Sequence, residues 1–228
     1  MCGRFTLTKD VADFATQLGL EYDPAKHNPR FNICPSQPVI VILNDEGQPE
    51  ITTAKWGLIP SWSKDPAIGN KLANARAEGI TEKPSFRTPF KRKRCLVLSD
   101  GFYEWRQTKP KAPFYFRMKN KAVFAFAGLW DAWRDPSGEE MRTCCLITTT
   151  PNSVVAKVHH RMPVILEETN YRLWLSEEEQ SVEQLLKLLQ PYPAEKMEGY
   201  EISTYVNKPE NSGPQCIVPI AEFKHGSE

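Results

Sequence analysis

Two stretches of the chain carry apolar residues at helical spacing. In the first stretch the apolar positions fit one face of a helix: Val11, Phe14, Ala15 and Leu18. Thr8 before this stretch and Gly19 after it predict a helix that is capped by the Thr8 side chain and ended by the glycine. The second stretch runs from about Thr169 to Leu189 and stops before Pro191, which predicts another helical region.

Short apolar segments between these helical stretches predict β-strands. They are rich in β-branched and aromatic residues: Val39 to Leu43, Ile51 to Leu58, Cys95 to Leu98, Phe114 to Met118, Val123 to Leu129, and Cys144 to Thr148. Most connections between them are too short for a crossover helix, which favours antiparallel pairing. The pattern therefore predicts an α+β fold with a largely antiparallel, distorted barrel-like β core and a few packed helices.

Composition indicates a globular protein. The 228 residues, 40% hydrophobic and 25% charged, predict one domain over residues 1–220, with residues 221–228 forming a flexible C-terminal tail. The start of the chain lacks the apolar region of a secretory signal, and no apolar run has the length of a membrane span. We therefore expect a cytoplasmic protein with no membrane partner.

Charge and cysteine spacing exclude several classes of function. A formal net charge of +1 argues against electrostatic binding of nucleic acid by the whole protein surface, but Arg87 and the run Lys91 to Arg94 predict a local basic surface. None of the six cysteines forms a C-x-x-C pair, and the chain has no dinucleotide-binding or P-loop motif. We therefore expect no metal and no cofactor.

Three polar clusters are candidates for chemistry: Asn74-Ala75-Arg76, Asp100 to Trp105, and His159 to Pro163. Glu104 lies between two aromatic residues, and such surroundings raise a carboxyl pKa towards a range useful for proton transfer. The alternative is a strand residue that faces solvent. His159 or His160 can exchange protons near neutral pH. Asn74 offers both a donor and an acceptor, although its alternative role is to cap a turn.

Cys2 is the remaining candidate, because removal of Met1 would give it a free α-amine beside its thiol. Such a 1,2-aminothiol condenses with an aldehyde through its amine, and its sulfur then closes a five-membered thiazolidine ring. The alternative is that Met1 is retained and Cys2 is an ordinary small residue.

An ordered series of motifs resembles the SOS response-associated peptidase (SRAP) family over nearly the whole chain. The motifs are Met1 to Phe5, Phe31 to Pro35, Trp56 to Pro60, Asn74 to Glu78, Asp100 to Trp105 and His159 to Pro163. The resemblance implies a protein that crosslinks covalently to abasic sites in single-stranded DNA through a thiazolidine on Cys2, with weak lyase activity. It also implies a monomer that acts near the nucleoid, with replication or repair proteins as further partners.

The resemblance assigns roles to individual residues of this chain. Glu104 would move protons, His159 would assist at the sugar oxygen, and Asn74 would orient the amine and the sugar. A set of residues would bind the DNA strand: Arg4, Pro35, Trp62, Arg76, Arg87, Thr148 and Arg161. Within this set the arginines hold phosphates or extend a basic channel, the Thr148 hydroxyl adds a contact, and Pro35 and Trp62 wedge or stack where the strand bends.

One position departs from the family pattern, and two other functions stay open. Many relatives carry an acidic residue where this chain has His160, so the sequence leaves open whether His159 or His160 is the catalytic histidine.

The first alternative function is a thiol peptidase that uses Cys2, His159 and Glu104, acting on its own N-terminus or on a crosslink. The second is a module that binds single-stranded or modified DNA without forming a covalent bond.

Overall fold

The computed structural model describes residues 2–45, 47–176, 178 and 180–223. Its strands, in chain order, are β1 (Phe5–Leu7), β2 (Arg30–Ile33), β3 (Pro38–Asp45), β4 (Gln48–Trp56), β5 (Asn74–Arg76), β6 (Arg94–Ser99), β7 (Gly101–Trp105), β8 (Pro113–Met118), β9 (Phe124–Arg134), β10 (Glu140–Thr149), β11 (Met162–Pro163) and β12 (Met197–Glu201). Its α-helices are α1 (Ala12–Leu18), α2 (Pro84–Arg92), α3 (Tyr171–Leu175), α4 (Val182–Lys187) and α5 (Ile220–Phe223).

The most apolar strands close into a barrel in the order β10, β4, β3, β6 and β9, with β9 pairing back to β10. Every pair around this ring is antiparallel except β4 with β10. All six residues of β6 are buried, because its inner face fills the barrel while α3 packs outside. The expected α+β class, with a largely antiparallel barrel-like core, is confirmed.

A second antiparallel sheet, in the order β12, β8, β7, β1 and β2, brings the start of the chain beside β7. Phe5 pairs with Phe102, and the Tyr103 amide donates to the Arg4 carbonyl at 3.0 Å. The close packing requires a glycine at position 101, since a Cβ there would lie 2.1 Å from the Tyr115 hydroxyl oxygen. This pairing carries Cys2 towards Glu104.

The barrel supplies the other half of the site through the end of β10. There β5 pairs in parallel with β10, so that Asn74 lies opposite Leu146, and β11 pairs antiparallel with Thr148 and Thr149. Trp56 fixes the approach to β5, because its indole N–H donates to the Ala73 carbonyl at 2.8 Å. The two flanking strands therefore place the segments around Asn74 and His159 at one end of the barrel.

The two predicted helical regions are only partly correct. Gly19 ends α1 with φ of 72°, as expected, but the N-cap is Val11 and not Thr8. The Thr8 hydroxyl donates instead to buried Asp100 at 2.5 Å, so that tertiary contact replaces the predicted cap. No described helix is long and apolar enough to span a membrane.

The region predicted as helical from Thr169 to Leu189 is divided into α3 and α4. Ser176 leaves α3 in an extended conformation, and the Ser181 hydroxyl caps α4 by accepting from the Gln184 amide at 3.1 Å. At the C-terminus, residues 221–223 belong to α5. The rest of the predicted tail, residues 224–228, lies outside the described residues.

Candidate active site

Cys2 and Asn74 meet where the second sheet touches the end of the barrel. The Cys2 side chain is buried, and its Sγ donates to the Arg4 carbonyl at 3.7 Å. The Asn74 side-chain amide donates to the Cys2 carbonyl at 2.9 Å. The other end of that amide, Oδ1, is buried and has no hydrogen-bond partner among the described residues. Asn74 thus holds the Cys2 backbone and keeps one acceptor available.

Glu104 and His159 form a buried pair beside Cys2. Their side chains are 3% and 5% exposed, and Oε2 of the carboxyl lies 3.8 Å from Nε2 of the imidazole. His159 Nδ1 lies 3.0 Å from the Arg161 nitrogen and 3.1 Å from its carbonyl oxygen. Because the amide N–H can only donate, the shorter contact makes Nδ1 an acceptor and leaves the ring proton on Nε2, facing Glu104.

Burial shifts the protonation of both members of this pair towards the neutral form. It raises the pKa of Glu104 to about 7 and lowers the pKa of His159 to about 4. Near neutral pH the carboxyl therefore exchanges its proton readily, while the imidazole is an uncharged donor. The two side chains form a proton-transfer pair and not a permanent ion pair.

The surroundings of the Cys2 thiol favour its protonated form over the thiolate. Burial raises its pKa well above the ordinary value, and the charge of Glu104 raises the pKa further. The thiol is therefore protonated at physiological pH, and its Sγ donates to the Arg4 carbonyl.

His160 lies outside this pair. Its side chain is exposed, and its ring stacks on that of His159 with centroids 4.5 Å apart. Of the two adjacent histidines, His159 is therefore the one that the fold directs to Glu104.

Arg161 and Thr148 are engaged in contacts within the protein. The Arg161 guanidinium holds the Glu78 carboxylate in a bidentate pair at 2.5 and 3.0 Å and donates to the Thr148 carbonyl at 2.6 Å. Thr148 is buried, and its hydroxyl donates to the Ala75 carbonyl at 3.3 Å. The DNA contacts expected of these two residues stay predictions, and in this arrangement both side chains brace the end of β10.

Arg4 is likewise engaged within the protein. Its guanidinium donates to Asn32 Oδ1 at 3.1 Å, to the Asn207 carbonyl at 3.2 Å and to the Val206 carbonyl, and it lies 5.6 Å from the Trp105 ring. Gly3, Arg4, Trp105 and Asn207 line an open cavity next to Cys2 in sequence.

The other expected DNA contacts lie nearer the surface. Trp62 is 60% exposed, Arg76 and Arg87 are exposed, and Pro35 is half-buried. The run Lys91 to Arg94 was expected to form one basic surface together with Arg87, and this expectation was wrong for Arg94. Its side chain is buried and donates to main-chain carbonyls at the ends of α2 and α3. Lys93 pairs with Asp131 at 2.7 Å.

Sequence reasoning assigned no role to two residues that organise this region, Glu78 and Asn32. Glu78 holds Arg161, and the Asn32 side-chain amide donates to carbonyls of Val206, Lys208 and Asn211. Both residues lie inside motifs that carry the family resemblance, and this location was the feature of the sequence that could have identified them. Among the described residues, no group of three or more His, Cys, Asp and Glu side chains is placed to hold a metal ion.

The opposite pKa shifts predict opposite effects on stability. Glu104 binds an extra proton in the folded state between its unfolded value of 4.5 and about 7, so it lowers stability as pH rises through that window. His159 has a folded pKa of about 4 against 6.5, so it raises stability as pH rises from about 4 to 6.5. In the wild type the two contributions oppose each other.

Single variants are expected to expose each contribution. Relative to wild type, the unfolding free energy of Glu104→Gln should rise by on the order of 3 kcal/mol from about pH 4.5 to about pH 7.5, and that of His159→Gln should fall by a similar amount. Urea unfolding at both pH values measures these differences. Differences from wild type that do not change with pH would contradict the protonation states described above.

Comparison with known proteins places this geometry in a family. A family model described as SOS response associated peptidase (SRAP) matches residues 1–209. Abasic site processing protein YoqW of Bacillus subtilis (strain 168) is 43% identical over 221 residues, covering 95% of this chain and 99% of the relative. Abasic site processing protein HMCES of Gallus gallus is 33% identical over 264 residues, covering 96% of this chain and 78% of the relative.

A solved structure with a similar fold agrees with the sequence comparisons. The crystal structure of a Bacteroides thetaiotaomicron protein superposes with a TM-score of 0.86 at 31% identity, covering 96% of this chain and 99% of that one. The match of the family model to residues 1–209 and the similarity to YoqW over 99% of that relative lead to one conclusion. The chain belongs to the SOS response associated peptidase (SRAP) family.

Proposed function

We propose that this protein processes abasic sites in single-stranded DNA by trapping the lesion's aldehyde on Cys2. The observation that carries the proposal is the convergence of four side chains: Asn74 holds the Cys2 backbone at 2.9 Å, and the buried Glu104 and His159 lie beside them, 3.8 Å apart. The relatives named abasic site processing proteins support the choice of substrate.

The reaction begins at the amine. Removal of Met1 leaves an α-amine on Cys2, whose ordinary pKa of about 7.7 to 8.0 gives an appreciable neutral fraction at physiological pH. This amine attacks C1′ of the ring-opened deoxyribose, and loss of water gives a Schiff base. The sulfur then forms a bond to the same carbon while the nitrogen takes up a proton, which closes the thiazolidine.

The surrounding side chains supply proton transfer and position. Glu104, with a pKa raised to about 7 by burial, delivers a proton to the departing oxygen and accepts one from the attacking group. His159 donates Nε2–H to the sugar oxygen. Trp62, Arg76 and Arg87 guide the strand from the surface, where stacking and phosphate contacts are accessible. The same Schiff base partitions into β-elimination, which gives weak lyase activity.

The chemistry of the thiol favours this reaction over a thiol peptidase. A cysteine peptidase needs a thiolate, which a lowered thiol pKa provides. Burial and the charge of Glu104 raise the pKa of Cys2 instead. The second step of the proposed reaction also needs the thiol to lose its proton, but there the sulfur attacks an electrophile already attached to the same residue, so proximity offsets the small thiolate fraction.

Asn74→Ala is expected to slow adduct formation without unfolding the protein. The substitution removes the bond to the Cys2 carbonyl at 2.9 Å and the available Oδ1 acceptor, so the amine loses its orientation. We expect a rate lower by about tenfold to 100-fold, a cost of the kind that loss of positioning brings. Single-turnover crosslinking measures the rate, and an unchanged rate would rule out this role.

Crosslinking to a synthetic strand tests the proposal as a whole. The purified protein is incubated with a single-stranded oligonucleotide that carries one abasic site, and the products are separated on a denaturing gel. The proposal predicts a shifted band that survives heat and denaturant and is absent with the undamaged strand. Failure to form this band by protein that lacks Met1 would overturn the proposal.

A further inference from the structure

We propose that Glu78 is a specificity-determining residue: its carboxylate occupies the Arg161 guanidinium in the free protein, and a DNA phosphate must displace it. The inference rests on the proposed function, because it takes single-stranded DNA as the ligand. It adds an internal competitor that weakens binding to every strand. Only a strand with an abasic site then escapes the competition, because covalent capture makes its binding irreversible.

The contact between Glu78 and Arg161 has the geometry of phosphate recognition. Two guanidinium nitrogens meet the two carboxylate oxygens at 2.5 and 3.0 Å, the parallel arrangement in which arginine also binds phosphate. The Arg161 Nε–H is buried and has no hydrogen-bond partner among the described residues, so the carboxylate does not satisfy the whole guanidinium.

The two partners differ in their freedom to move. The Arg161 side chain is 9% exposed and is anchored on the Thr148 carbonyl at 2.6 Å, whereas the Glu78 side chain is 54% exposed. An incoming phosphate can therefore replace the carboxylate while the arginine keeps its place. The displaced carboxylate remains near Arg76, whose charge already acts on Glu78.

The position of the pair links this competition to the reaction centre. The backbone N–H of Arg161 donates to His159 Nδ1 at 3.0 Å, so the guanidinium belongs to the residue that orients the imidazole. A phosphate bound there would lie next to the nucleotide that enters the site. Arg161 is thus placed to bind the strand, and Glu78 sets how tightly it does so.

Glu78→Gln removes the competing charge and keeps the shape of the side chain. We expect the variant to bind an undamaged single strand about threefold to fivefold more tightly than wild type at the same ionic strength, the upper part of the range that the loss of one partly exposed ion pair allows. Merely structural damage to the site would weaken binding, so a gain in affinity separates the two explanations.

Glu50→Gln is the matched control. Glu50 also pairs with an arginine, Arg142, and its loss changes the net charge by the same amount. Arg142 and Thr148 lie six residues apart on β10, about 20 Å along the strand, so the control lies at the other end of the barrel. This variant should bind the undamaged strand within about twofold of wild type, since only the net charge changes there.

Fluorescence anisotropy with a labelled undamaged strand measures the affinities, and crosslinking to an abasic strand in the presence of undamaged competitor measures the discrimination. The competitor concentration that halves the crosslinking rate should be lower for Glu78→Gln by the same factor. Binding by Glu78→Gln that is equal to or weaker than that of Glu50→Gln, or binding too weak to measure in every variant, would overturn the proposal. The affinity comparison needs no covalent step, so a missing crosslink would refute the proposed function separately.

Discussion

Protein carrying Cys2→Ala is expected to form no adduct with an abasic strand that survives denaturation, while its binding to an undamaged strand stays near that of wild type. Alanine keeps the α-amine, so a Schiff base still forms, but no sulfur is present to close the ring and the imine hydrolyses. Cys2→Ser is expected to behave in the same way, because a hydroxyl is a weaker nucleophile and gives at most a labile product. The gel assay measures both variants directly.

Cys34→Ala is the matched control for this prediction. Cys34 is a half-buried thiol in the loop after β2, and it has no part in the proposed reaction. Its loss should leave the amount of adduct unchanged. A stable adduct with Cys2→Ala, or loss of the adduct with Cys34→Ala, would show that Cys2 is not the residue that traps the lesion.

Glu104→Gln is expected to lower the crosslinking rate by about 100-fold or more, the usual contribution of a positioned acid or base. The amide keeps the size of the side chain but cannot transfer the proton that water loss requires. The variant should also change the pH profile. With a pKa of about 7, the protonated Glu104 that acts as the acid is lost as pH rises, whereas the neutral amine is gained.

The wild-type rate should therefore pass through a maximum slightly above neutral pH. The alkaline decline should disappear in Glu104→Gln, which leaves only the rise caused by deprotonation of the amine. Glu198→Gln, which removes a carboxylate paired with Arg117 on the second sheet, serves as the control and should retain both limbs. A variant profile that keeps the alkaline decline would assign that limb to another group.

The long barrel strands could be predicted from the sequence, and the short strands of the site could not. Strands such as β3 and β6 carry continuous apolar residues and are recognisable without their partners. β5 has only three residues, and its pairing depends on Leu146, far away in the chain. The predicted Thr8 cap was wrong because Asp100, also distant in sequence, accepts the hydroxyl.

The residue types of the site were visible in the sequence, but their partners were not. Asn74 and Glu104 could be predicted as site residues because each lies in one of the three polar clusters, and the fold brings both to Cys2. The choice between His159 and His160 depends on which ring faces Glu104, which no local pattern specifies. Arg161 suggested a phosphate contact, but its pairing with Glu78 joins residues that lie 83 positions apart.

The intact mass of the crosslinked product after treatment with borohydride tests the central claim most directly. Borohydride reduces a Schiff base and adds two hydrogens, whereas a thiazolidine has no C=N bond to reduce. We predict the mass of the protein without Met1 plus the oligonucleotide minus one water, unchanged by borohydride, with the linkage on the peptide that begins at Cys2. A product that gains two hydrogens, retains Met1 or is linked through another residue would contradict the claim that Cys2 traps the aldehyde through its amine and then its sulfur.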